Sequence, residues 1–165
     1  MDLKKAWKKE LANMSLHCIN LLETWNEYGL PHNSVIIFEI NNTLLDNSGQ
    51  VIEAIRNIYD YALLLHIKVV VISVNIGTKK TIRHWIKTLN KAGIKDVEFY
   101  YFRRKNTDCW KFKLNARRNL ISKGYQVVMS IGAEDWDILG ESTGFGVKVP
   151  IIYHGHVVYV WPCFE

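Results

Sequence analysis

The stretch 34–47, SVIIFEINNTLLDN, limits the architecture more than any other part of the chain. Val35, Ile36, Ile37 and Phe38 run without a polar break, as a strand covered on both faces of a parallel sheet does; a half-exposed strand would alternate. Similar strand signals recur at Val69–Asn75, Val97–Phe102 and Gln126–Ile131. Between them lie helical patterns at Val51–His66, at Thr78–Lys91 and ahead of Lys123-Gly124-Tyr125. That alternation predicts an α/β domain of about five mostly parallel strands with helices on both faces and residues 34–39 at its centre. Open sheets of this kind bind ligands beyond the carboxyl ends of their strands, so Glu39, Asn41 and Thr43 are site candidates by position. The plainer alternative makes Glu39 an ordinary strand-end carboxylate with a local partner.

Residues 3–28 predict an amphipathic helix, with Leu3, Trp7, Leu11, Met14, Cys18, Leu21, Trp25 and Tyr28 at steps of three and four. Its apolar seam needs a cover, either its own domain or a second copy. Gly29-Leu30-Pro31-His32-Asn33 ends it and turns into the central strand. Asp46-Asn47-Ser48-Gly49 reads as a turn and 140–146 as a glycine-rich loop. From Val147 onward the chain alternates toward strands, with a hairpin turn at His154-Gly155-His156. The two histidines are a minor metal candidate without a third ligand nearby. Trp161, Pro162, Cys163 and Phe164 form an apolar tail that either makes a contact surface or packs down.

At 165 residues with 48% hydrophobic and 22% charged residues, the chain has the composition of one globular domain rather than a disordered one. The segments are an N-terminal helix (1–30), a Rossmann-like core (34–153) and a C-terminal strand and tail (154–165). Three scattered cysteines without a CxxC pair argue against a disulfide framework or a zinc knuckle and for a reducing compartment. The lysine-rich start is not a signal peptide, and no apolar run reaches membrane-spanning length. A cytoplasmic protein is expected. The abundance of Ile, Asn and Lys fits AT-rich coding such as some large DNA viruses use, which would make it the host cytoplasm.

Glu39-Ile40-Asn41-Asn42-Thr43-Leu44-Leu45 after a hydrophobic strand resembles the first motif of the haloacid dehalogenase superfamily, aspartate-x-aspartate-x-threonine. The nearest relatives by motif are its plant-type and class B acid phosphatases and the vegetative storage proteins. Val69–Asn75 resembles the second motif, with Ser73 in the serine or threonine position. Lys113, ahead of Arg117, has the spacing of the third-motif lysine. Ser130-Ile131-Gly132-Ala133-Glu134-Asp135-Trp136-Asp137 resembles the fourth, and Val147-Lys148-Val149-Pro150 with Tyr153 the final strand. Only one helix separates the first two motifs, so the large cap domain of many relatives is not expected.

Against that pattern the departures are severe. Glu39 stands where the nucleophilic aspartate would be, Asn41 where the acid/base aspartate would be, and Ala133 where an aspartate would help hold Mg²⁺. Asn75 replaces a substrate-binding arginine. Ser73, Lys113 and Asp137 survive, with Asp137 the one retained fourth-motif carboxylate. Displacing a nucleophile by about 1 Å costs roughly a hundredfold, and losing the general acid/base about 10²–10⁴ more. An amide has no proton to shuttle near neutral pH, and Mg²⁺ relies on few protein carboxylates. The implied reading is a catalytically inactive, phosphatase-like protein acting by binding, with no cofactor and with Lys113 paired to Glu39 or Asp137. The competing reading is a weak Mg²⁺-dependent phosphohydrolase using Glu39.

Net charge is +5 and the pI about 9.1, which favours polyanionic partners. Lys80, Arg83, Lys87 and Lys91 follow one face of the 78–91 helix, with Lys79 and His84 beside them and Ile82, Trp85, Ile86 and Leu89 opposite. Arg103 and Arg104, at the end of the next strand, and Lys111 add to a basic region. This surface is either a solvated basic face or a sequence-independent nucleic-acid or anion site. Partner expectations are therefore a protein, or a second copy, through the N-terminal helix, and nucleic acid through helix 78–91; no membrane partner is expected.

Overall fold

Strand β1 (Ser34–Phe38) is buried along its whole length at the centre of a five-stranded sheet, in a computed structural model that describes residues 2–159. The described chain begins with α1 (Leu3–Tyr28), capped by the Asp2 side chain on the Lys4 amide and ended by Gly29 at φ +96°. After β1 come α2 (Glu53–Leu64), β2 (Lys68–Ile76), α3 (Lys79–Lys91), β3 (Phe99–Arg103), α4 (Cys109–Ser122), β4 (Gln126–Gly132), the short α5 (Asp135–Ile138) and β5 (Phe145–Lys148). A small antiparallel hairpin, β6 (Ile151–Tyr153) and β7 (His156–Val158), follows. Its two-residue turn, His154-Gly155, has positive φ at both positions, which suits the twist of the strands it joins.

The sheet order is β3-β2-β1-β4-β5, and all four pairings are parallel. The chain builds outward from β1 to β3, then returns to the other side of β1 with β4. The crevice at that reversal lies beyond the carboxyl ends of β1 and β4, where Glu39 and Ala133 emerge. One segment, carrying α2, links β1 to β2, and no large cap is inserted there.

Two apolar layers cover the sheet. Ile36, Phe38, Val69 and Val71 face α1, α2 and α3 through Leu11, Cys18, Leu22, Ile55, Ile58 and Leu89. Val35, Ile37, Val70 and Ile72 face α4 through Ala116 and Leu120. The α1 seam is thus covered within the chain, although Tyr28 at its end stays exposed. The Trp7 indole also donates to the Pro150 carbonyl, and the Tyr159 hydroxyl bonds to Glu10, tying the hairpin region to the same helix. No described helix is long and apolar enough to cross a membrane.

Several boundaries differ from the sequence reading, three of them by more than one residue. β3 starts at Phe99 rather than Val97, α2 is shorter than 51–66, and β5 begins at Phe145, inside the stretch read as loop. Phe145 and Gly146 pair with Met129 and Ser130 at the sheet edge, where the chain is exposed and its hydrophobic pattern weak. The tail Trp161–Phe164, with Cys163, lies outside the described residues.

Candidate functional site

Glu39 follows the last residue of β1 and is buried, which makes its ionised form costly unless every oxygen finds a donor. The donors are at hand. Oε1 accepts from the Ile40 amide at 2.8 Å, and Oε2 from the Val74 amide at 3.1 Å and from Lys113 Nζ at 2.8 Å. Lys113 reaches this point from α4 on the sheet's other face. Its ammonium also lies 2.7 Å from Asp137 Oδ1 as an ion pair and donates to the Ile72 carbonyl, so two carboxylates and a carbonyl surround it.

Asp137 enters from α5, just after β4. Its Oδ2 accepts from the Glu134 amide at 3.1 Å, while Glu134 caps the same turn. Gly132 makes this approach possible, because a Cβ there would sit 2.3 Å from the Asp137 carboxylate. Arg117, one turn along α4 from Lys113, is also buried. Its guanidinium donates to the carbonyls of Glu141 (2.8 Å), Leu139 (3.2 Å) and Trp136 (3.3 Å), holding the loop that carries Asp137.

Two carboxylates and two cations therefore share the interior. Burial works against the Lys113 charge, but Glu39 and Asp137 outweigh it and hold the lysine above its ordinary range. Burial pushes Asp137 up to about 6; Lys113 pulls it down and the Glu39 charge pushes it further up. Arg117 falls below its ordinary value through burial, with Asp137 and Glu141 pulling the other way.

At the outer edge of the site Asn41 and Asn75 form a reciprocal amide pair, Asn41 Nδ2 to Asn75 Oδ1 at 3.0 Å and Asn75 Nδ2 to Asn41 Oδ1 at 3.2 Å. The pair spans the gap between the ends of β1 and β2. Ser73 is buried and its hydroxyl accepts from the Asn75 amide. Ala133 is buried beyond β4 and contributes no oxygen.

This donor set does not suit a divalent cation. Glu39 Oε2 and Asp137 Oδ1 already face the Lys113 ammonium, and Ala133 adds no side-chain oxygen, so few anionic oxygens are left for a magnesium ion. Among the described residues no group of three or more His, Cys, Asp or Glu side chains gathers that could hold a metal, which includes His154 and His156.

All six motif positions, Glu39, Asn41, Ser73, Lys113, Ala133 and Asp137, thus come to the carboxyl edge of the sheet, the first five at or near strand or helix positions the sequence marked. Arg117, marked in the sequence only by its spacing from Lys113, spends its side chain inside the fold. Arg103 is likewise half-buried and donates to the Val74 carbonyl at 2.9 Å and the Thr107 carbonyl at 3.0 Å, whereas Arg104 is exposed. Lys79, Lys80, Arg83, Lys87 and Lys91 are all exposed along α3.

No protein-family model matches the sequence, and no curated protein matches it. Solved structures do resemble it. The class C acid phosphatase from Bacillus anthracis superposes with a TM-score of 0.63 at 15% identity, covering 81% of this chain and 66% of that one. The same enzyme with tungstate bound gives 0.57 at 15% identity, covering 73% and 61%. The chain spans just under two thirds of the length of the first. Where the motif reading pointed to plant-type and class B enzymes, the structures it resembles are class C, and identity this low speaks for the fold alone. That fold is a five-stranded parallel, Rossmann-like α/β sheet flanked by helices.

Proposed function

We propose that this chain is a non-catalytic protein on a phosphatase-like scaffold, acting by binding. The observation that carries the reading is the Lys113 ammonium, buried between the Glu39 and Asp137 carboxylates and also donating to a backbone carbonyl. A phosphoryl group would need that cation and the amides of Ile40 and Val74, and the Glu39 carboxylate already takes all three. Three further features support it. Asn41, held by Asn75, has no proton to exchange near neutral pH; Ala133 offers no ligand; and the carboxylates are committed to a lysine.

The test is hydrolysis of an aryl phosphate by purified protein with Mg²⁺, beside a Glu39→Ala control. No turnover above the control is expected. Turnover that Glu39→Ala abolishes would establish the weak phosphohydrolase instead. Replacing Glu39→Asp, Asn41→Asp and Ala133→Asp together is expected to return measurable phosphatase activity, since it shortens the plugging side chain and restores the acid/base and ion-binding oxygens.

A further inference from the structure

Residues 77–95 contain six cations, Lys79, Lys80, Arg83, Lys87, Lys91 and Lys95, and no acidic residue. The segment thus carries a local charge of +6, against +5 for the whole chain. All six side chains are exposed, and none pairs with a described carboxylate. Lys79, Arg83, Lys87 and Lys91 repeat every fourth residue, each step rising about 6 Å along the helix. They border a groove of about 880 Å³ whose apolar wall is Ile82 and Ile86.

The row also has a continuation. The Gly77 amide bonds to the Arg103 carbonyl, so the start of α3 and the end of β3 leave the sheet side by side. The exposed Arg104 and Lys105 extend the cations there, and the amino end of the α3 dipole adds positive potential.

We infer that α3, with Arg104 and Lys105, binds the phosphate backbone of nucleic acid without reading sequence. A regular row of single, unpaired cations suits a polymer of regularly spaced anions better than the irregular carboxylates of an acidic protein. A membrane-surface helix would turn its large apolar residues outward; here Leu89 is buried and Trp85 packs on the core. The row presents ammonium and guanidinium groups and no planned set of base-edge contacts, so it positions a strand and does not specify one.

The inference names a partner for the non-catalytic reading and rests on it. Phosphatase turnover would sink that reading, whereas the following titration sinks this one. Fluorescence anisotropy with a short mixed-sequence DNA oligonucleotide, single-stranded and annealed, is expected to show binding to at least one form. Four or five neutralised phosphates predict an affinity loss of about 10²- to 10³-fold between roughly 50 and 200 mM salt. Lys80→Gln/Arg83→Gln/Lys87→Gln is expected to lower the log–log salt slope by about two to three, and Lys80→Glu/Arg83→Glu/Lys87→Glu to abolish binding. These sites are exposed, and unchanged circular dichroism verifies the fold; Arg83→Lys should bind as the parent does. Absent binding, a salt-independent affinity, or affinity untouched by the charge reversal overturns the inference. Tighter binding to poly-glutamate than to either oligonucleotide also overturns it, in favour of an acidic protein.

Discussion

The Lys113 side chain shows how a buried charge can be tolerated and what it then demands of its neighbours. Removing one member of a buried ion cluster leaves its partners unpaired in a low-dielectric interior, which costs about 3–5 kcal/mol. Lys113→Met should therefore lower the unfolding free energy by about that amount, while Glu39→Gln/Lys113→Met/Asp137→Asn should recover most of it because no orphaned charge remains. Urea denaturation of both variants checks this; a triple variant as unstable as the single one would mean that packing, and not charge, holds the site. Asp137 adds a pH dependence. Its carboxyl is pushed from 3.8 up to about 6 in the folded chain, so between those values the native state holds more proton than the unfolded state. The stability this gives is fully present below about pH 4 and is lost as pH rises through about 6. The parent's advantage over Asp137→Asn should be larger at pH 5 than at pH 7, measured by denaturation midpoints; a gap that is constant or widens toward pH 7 contradicts the assignment. Asn41 and Asn75 each stand at a position the motif resemblance marks, but nothing in the sequence shows that their amides pair across 34 positions.

Among the elements, the strands with two covered faces were the most legible. Val35–Phe38 reads as buried because both faces are buried, and the same holds for Val69–Ile72. β5 was hidden because its edge residues Phe145 and Gly146 are exposed, so its place is set by pairing with β4 rather than by hydrophobic pattern. Lys113 was recognisable through its spacing, but the buried role of Arg117 was not. An arginine that satisfies backbone carbonyls looks, in sequence, like any surface arginine. Gly132 has the same character: its importance lies in what approaches it. A Cβ there would meet the Asp137 side chain at 2.3 Å, and α5 is too short to shift without dragging the loop held by Arg117. Gly132→Ala should cost about 1–3 kcal/mol through overpacking and should weaken the pH dependence assigned to Asp137. Denaturation at the same two pH values reads both effects, and an unchanged pH profile would show that Asp137 keeps its place beside Lys113.

The whole molecule joins a buried cluster at the sheet's carboxyl edge to two exposed or semi-exposed helical surfaces, with α1 acting as the outer cover of one sheet face. The parallel order with its reversal at β1 and β4 preserves a crevice of the kind that binds ligands, but the chain's own Glu39, Lys113 and Asp137 occupy its polar groups. Outside that cluster, the exposed cations of α3 and its exit give residues 77–95 a local charge of +6. This division requires α1 to be an integral part of the fold and not an appended arm. Leu11, Cys18 and Leu22 are buried in the same apolar layer as Ile36, Phe38 and Ile58, and burial raises the Cys18 thiol to about 11, which leaves it inert as a nucleophile at neutral pH. Leu22→Ala removes a fully buried side chain from the interface between α1 and the rest, and should cost about 2–5 kcal/mol. In a background with Trp85, Trp110, Trp136 and Trp161 replaced by phenylalanine, Trp7 and Trp25, which lie on α1 and pack against that layer, make tryptophan fluorescence a report on α1, while far-ultraviolet circular dichroism reports on the whole chain. Both should shift together to lower urea as one transition. A fluorescence transition that separates and precedes the loss of circular dichroism would show that α1 unfolds independently, and that the sheet face it covers can be opened to a partner.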